Sequence, residues 1–123
     1  MIYGFADFAS ATVRCRIYQA DFDQVLDLMF SKPPAGGGPR YVPAHKYARV
    51  FDGDVKAKNL EDIFAIFNVR HPAGYTGRSL TTTDVVEIDD GWQHEFYFCE
   101  SSDFSKAIFD VREIRQKFGG DAL

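Results

Sequence analysis

Apolar and polar positions alternate through "TVRCRIYQA", near the start of the chain. Val13, Cys15 and Ile17 fall on one side and Arg14, Arg16 and Tyr18 on the other, which is the period of a half-buried strand. The period then lengthens. Asp21 stands where it can cap a helix, and Phe22, Val25, Leu26 and Met29 recur at helical spacing. "SKPPAGGGPRYVP" stops that helix, because successive prolines and glycines neither continue a helix nor join a central strand. A surface loop is predicted here, with residues 33–39 at its centre. It lacks the closing Lys-Ser/Thr pair of a phosphate loop.

Alternation returns in "KYARVFDG", with Tyr47, Arg49 and Phe51 on one face and Ala48 and Val50 on the other. "NLEDIFAIFN" reads as a short helix. Asn59 is its N-cap, Glu61 and Asp62 suit the positive end of the dipole, and Leu60, Ile63, Phe64 and Phe67 form the stripe to be buried. "FNVRHPAGYTGRSLTTTDVV" follows, a run of small, turn-forming and hydroxyl residues. "DVVEI", "DDGW" and "HEFYFCE" then read as a hairpin turning at Gly91. At the end of the chain Ala107, Val111, Ile114 and Phe118 share a stripe with Phe104 and Ile108, predicting a C-terminal helix over about 105–118. Both periods intermingle without regular βαβ spacing. The expected fold is α+β: one domain over 1–123, with a mainly antiparallel sheet packed with about three helices.

Composition adds two constraints. Twelve Phe and six Tyr imply a core of large flat side chains, or a surface that presents some of them to a partner. A net charge of -4 argues against a broad electrostatic grip on nucleic acid, which takes clustered Lys and Arg. Cys15 and Cys99 each lie inside a strand-like run, so both are expected buried and reduced. No signal-peptide pattern opens the sequence and no apolar run is long enough to span a bilayer, so a soluble, intracellular protein is expected.

The candidate chemistry is sparse. His45, His71 and His94 show no metal-ligand spacing, so neither a metal nor a cofactor is expected. Ser79, His71 and Asp84 are the residue types of a nucleophilic site, and a small hydrolase using the His71/Ser79 loop is one alternative. No nucleophile elbow surrounds Ser79, however, and hydroxyls that satisfy a loop's backbone account equally for the pattern. Arg40, Lys46, Arg49, Lys56 and Lys58, interleaved with Tyr41 and Tyr47, would serve a second alternative, a nucleic-acid-binding accessory protein. The scattered acids, Asp21, Asp23, Asp27, Asp52, Asp54, Glu61, Asp62, Glu87, Asp89 and Asp90, could imitate phosphate spacing if they shared a face.

Residues Leu60 to Ile88 resemble the YodL-like domain family. Leu60 to Phe64 match its helix; Phe67, Asn68, His71, Pro72, Tyr75, Gly77, Arg78, Ser79 and Leu80 match its loop; Asp84, Val85 and Val86 match its strand entry. With "YARVFDGDV" before and "FYFCESSDF" after, the resemblance covers about 46–104. Thr81, Thr82 and Thr83 replace the family's usual Ser-x-Ser, and the C-terminal helix has no clear counterpart. The resemblance implies a protein of bacterial or phage mobile elements, hence one in the cytoplasm of a bacterial host. The expected function is a non-enzymatic, protein-binding inhibitor of the anti-CRISPR type, blocking a host CRISPR-associated nuclease. Tyr75, Arg78, His71 and Asp84 are its expected binding residues; nucleic acid is a less favoured partner, and no membrane is expected.

Overall fold

A computed structural model describes residues 7–30, 36, 38–75, 77–101 and 103–115. In chain order these form β1 (Thr12–Ala20), α1 (Phe22–Phe30), β2 (Arg40–Tyr41), β3 (Tyr47–Lys56), α2 (Leu60–Val69), β4 (Val85–Asp89), β5 (His94–Cys99) and β6 (Phe104–Ile108). Short 3-10 turns occupy Ala44–Lys46 and Val111–Glu113. The six strands make one sheet in the order β2-β6-β5-β4-β1-β3. Every pairing is antiparallel except the short β2–β6 pair. The class is therefore α+β.

Both faces of the sheet are covered, but not equally. On one face Val13, Cys15 and Ile17 of β1, Val86 and Ile88 of β4, and Tyr97 and Cys99 of β5 pack with Leu60, Ile63 and Phe67 of α2. The α2 helix begins as its sequence demands: the Asn59 side chain accepts from the Asp62 N–H at 2.9 Å, and Asp62 Oδ2 accepts from the Lys58 N–H at 3.0 Å. On the opposite face Tyr18, Ala20, Tyr47, Val85 and Phe98 pack with Leu28 of α1 and with Val42, Ala44 and Phe109. The ring of Phe109 lies 4.8 Å from that of Tyr18 and 5.3 Å from that of Tyr47. Among the described residues Tyr18, Tyr47, Phe51, Phe67, Tyr97, Phe98, Phe104 and Phe109 are buried, so large flat side chains do contribute to the core.

Several expectations change. The predicted C-terminal helix over 105–118 is not formed where it is described: Phe104–Ile108 pairs with β5 as a strand, and Val111–Glu113 is a single 3-10 turn. Residues 116–118 lie outside the described residues. Two α-helices are thus present among the described residues, not three. The apolar spacing of this tail fits both periods, and pairing with β5 selects the strand. Phe51 does not share a face with Tyr47. Ile17 pairs with Phe51 but Tyr18 with Arg49, so Val50 is the extra residue of a bulge, and Phe51 turns to the α2 face.

Helix stripes shift as well. Phe64 is 44% exposed, and in α1 it is Leu28 that is buried while Leu26 and Met29 are exposed; the Phe22 side chain lies outside the described residues. The end of the predicted loop, Arg40 and Tyr41, adds a two-residue parallel strand beside β6, whereas residues 33–35 and 37 lie outside the described residues. No helix among the described residues is long and apolar enough to cross a membrane.

Candidate functional site

Between α2 and β4 the chain must cross from one sheet face to the end of a central strand, and Asp84 anchors that crossing. Its side chain has no exposed surface. Arg78 Nη1 donates to its two oxygens at 2.8 and 3.0 Å, the Thr81 N–H donates to Oδ2 at 2.8 Å, and Gln19 Nε2 donates to Oδ2 at 3.1 Å. Gln19, on β1, is the hub of the arrangement. Its Nε2 also reaches the Arg78 carbonyl at 2.9 Å and the Tyr75 hydroxyl at 3.1 Å, while its Oε1 accepts from the Arg78 N–H at 3.2 Å. The Tyr75 hydroxyl in turn donates to the Arg78 carbonyl. Gly77 is required by space, since a Cβ there would lie 2.8 Å from Val50 Cγ2 and 3.0 Å from the Tyr75 oxygen.

The electrostatics follow from burial. Desolvation pushes the Asp84 carboxyl up to about 6, and the Arg78 guanidinium, the Thr81 N–H and the Gln19 amide oppose it. Burial likewise raises the Tyr75 hydroxyl, with the Asp84 charge adding to the effect. Beside Asp84, Thr83 is buried at φ 81°, a left-handed conformation that costs a β-branched residue about 1–3 kcal/mol. Tertiary bonds hold it there. Its N–H donates to the Cys99 carbonyl at 2.8 Å, and its carbonyl accepts from the Tyr47 hydroxyl at 2.7 Å.

All four expected binding residues therefore converge on one loop. The His71 ring lies 4.9 Å from the Tyr75 ring, and its Nε2 is 3.4 Å from Ser79 Oγ. The Asp84 carboxylate, however, is engaged by Arg78, Gln19 and Thr81 and not by His71. The Ser79–His71 contact thus has no carboxylate behind it from Asp84, which a nucleophilic triad would need. Asp84 faces inward and Tyr75 is half-buried, so Arg78 and His71 are the members of the set that reach the surface.

A second polar centre lies on β4 and β1, where the alternating pattern alone gives no sign of one. Glu87 on β4, nearly inaccessible, accepts from the Tyr18 hydroxyl, from Arg16 Nη1 at 2.9 Å, and pairs with His94 Nε2. Arg16 Nε also meets Asp52 at 3.1 Å, and Arg14 Nε meets the same oxygen at 2.8 Å. Burial works against the charge on Asp52, but the two guanidiniums hold its carboxyl below the usual range. Gln19 and Glu87 share the signal that would have found them: each is a polar residue at an inward position of a strand with two covered faces.

Other candidates disperse. Arg40 is buried against Phe98, with its Nε 3.0 Å and its Nη2 3.1 Å from Glu100 oxygens, so it does not extend a basic surface with Lys46, Lys56 and Lys58. Cys15 and Cys99 are buried and free, and burial raises both thiols. Among the described residues no group of three or more His, Cys, Asp and Glu could hold a metal ion.

Two predictions follow from the asymmetry of the Arg78–Asp84 pair. Arg78→Ala strands a buried carboxylate and is expected to lower stability by about 2–3 kcal/mol, below the full range for a buried pair because Arg78 is partly exposed. Asp84→Asn keeps the shape and leaves a cation that can reach water, so it should cost less; chemical denaturation of both variants checks the order. The pH dependence has a definite sign. Because the folded value of Asp84 is raised, its contribution is fully present below about pH 4 and is lost as pH rises through about 6. Wild type should therefore lose stability relative to Asp84→Asn across that window and run parallel to it above, as denaturation at stepped pH would reveal.

No curated protein and no solved structure gives a significant match to the chain. A family model described as "YodL-like domain" matches residues 14–109, from within β1 to just beyond β6. That span includes the Gln19 hub, the Asp84 anchor and the Glu87 centre, and it extends beyond the segment of about 46–104 that carries the resemblance. The chain belongs to the YodL-like domain family.

Proposed function

We propose that this YodL-like domain is a binding protein that acts by docking on another protein, and that its partner is a host CRISPR-associated nuclease whose basic groove it occupies. The observation that carries the reading is how the signature loop uses its polar groups. Asp84, Gln19, Tyr75 and the Thr81 N–H bond one another and the sheet, which makes the loop a fixed support. The surface available to a partner is correspondingly acidic. Along β3 and β4, Asp52, Asp54 and Asp89 keep exposed or half-exposed positions in register with only two guanidiniums, Arg14 and Arg16. Carboxylates on one face complement a groove built to take a phosphate backbone, and complementary potential favours encounter with such a groove over encounter with nucleic acid.

The test is to mix the whole chain with a panel of purified CRISPR-associated effectors, follow co-migration by size exclusion, and assay target cleavage. Co-migration with at least one effector and loss of its cleavage are expected. Separate elution and unchanged cleavage across the panel would overturn the nuclease as partner.

A further inference from the structure

The tip of the β4–β5 hairpin holds the one tryptophan of the chain, Trp92, which is 86% exposed. An indole left in water forgoes the burial that stabilises most large apolar side chains. The turn beneath it is nevertheless firmly built. Asp90, itself buried, accepts on Oδ1 from the N–H groups of Trp92 at 2.9 Å and Gln93 at 2.8 Å, and on Oδ2 from the Ala9 N–H at 2.8 Å. These backbone donors, Ala9 foremost, hold its carboxyl below the usual range. Ser10 Oγ donates to the Asp90 carbonyl at 3.1 Å, and Gly91, at φ 92°, donates its N–H to Asp89 Oδ1 at 3.0 Å. The backbone carrying the indole is thus fixed before any partner arrives, so little ordering entropy remains to be lost on binding.

The charges next to the tip say what kind of partner fits. By strand register, Asp54, Arg14, Asp89 and His94 form the row beside the turn, and Asp52, Arg16, Glu87 and Phe96 form the next. Both guanidiniums are already engaged, Arg14 by Asp52 and Asp54 and Arg16 by Asp52 and Glu87. Asp54 and Asp89 remain exposed. A phosphate backbone laid here would meet excess negative charge, and a second copy of the same face would meet its own carboxylates. We infer that Trp92 is the anchor of a protein–protein interface, inserting its indole into an apolar pocket whose rim carries Lys and Arg opposite Asp54 and Asp89. A well-packed aromatic anchor with charged surroundings is the arrangement in which binding energy concentrates. The inference rests on the protein-binding role proposed above and names its surface; it does not require the partner to be a nuclease.

The whole chain can be panned against a displayed random-peptide library, and the enriched peptides synthesised with a fluorescent label. Selected peptides should be rich in Lys and Arg around an apolar segment and should shift the emission of Trp92 to the blue. Their affinity, read by anisotropy, should fall about tenfold or more on Trp92→Ala and further with added salt. Asp54→Asn should weaken them by a smaller factor. Circular dichroism and the melting temperature of Trp92→Ala are expected to match wild type, since the side chain packs on little. No enrichment, equal binding to Trp92→Ala, an unmoved emission spectrum, or a shift produced by duplex DNA and not by peptides would each overturn the inference. A nuclease panel without inhibition, alongside peptides selected through Trp92, would remove the nuclease and keep the anchor. Inhibition undiminished in Trp92→Ala would do the reverse.

Discussion

A carboxylate with no exposed surface, Asp84, is held by an arginine, a glutamine and a backbone N–H, and the crossing from α2 to β4 depends on it. Leaving any of these groups unpaired inside the protein would cost about 1–3 kcal/mol apiece, more for the charge. The network therefore forms as a whole or not at all. Gln19 ties it to β1, the Cys99 N–H donates to the Asp84 carbonyl at 2.8 Å, and Thr83 returns a bond to Cys99. One side chain thus connects the loop to the central strands. The left-handed Thr83 and the missing Cβ of Gly77 are local concessions that this closure requires.

Much of the fold was legible because a single period described each segment. The alternation of β1, the Asn59 cap of α2 and the Gly91 hairpin all appear where the sequence places them. What was not legible depended on pairing between distant segments. The apolar tail around Ala107 satisfies a helical stripe, but β5 offered an unpaired edge and the tail took it. The face of Phe51 turned on a bulge whose only sign is a register slip against Tyr18. Strand spacing alone cannot carry that information, since one extra residue inverts every side chain after it.

The candidate site shows the same division. His71, Tyr75, Arg78 and Asp84 were singled out for their residue types and do converge, yet their roles separate by burial. Asp84 is structural and inward, whereas Arg78 and His71 reach water. The sequence offers Glu87 only as one of the scattered acids and offers no role for Gln19, because a polar residue in an alternating strand reads as outward-facing, yet both are buried. Partners distant in sequence make those positions interior: Tyr75, Arg78 and Asp84 for Gln19, and Tyr18, Arg16 and His94 for Glu87. Arg14, Asp54 and Asp89 are exposed on the row of the sheet next to the Trp92 turn.

If the Asp84 network holds the loop as one unit, removing a member should release groups it does not touch. Amide hydrogen exchange on Gln19→Leu is the direct measurement, read at the Thr81 N–H, which bonds Asp84 and not Gln19. Protection at Thr81 should fall to that of an open loop, while the amides of Arg16 and Ile17 in β1 stay slow. A Thr81 amide as protected in the variant as in wild type would contradict the account.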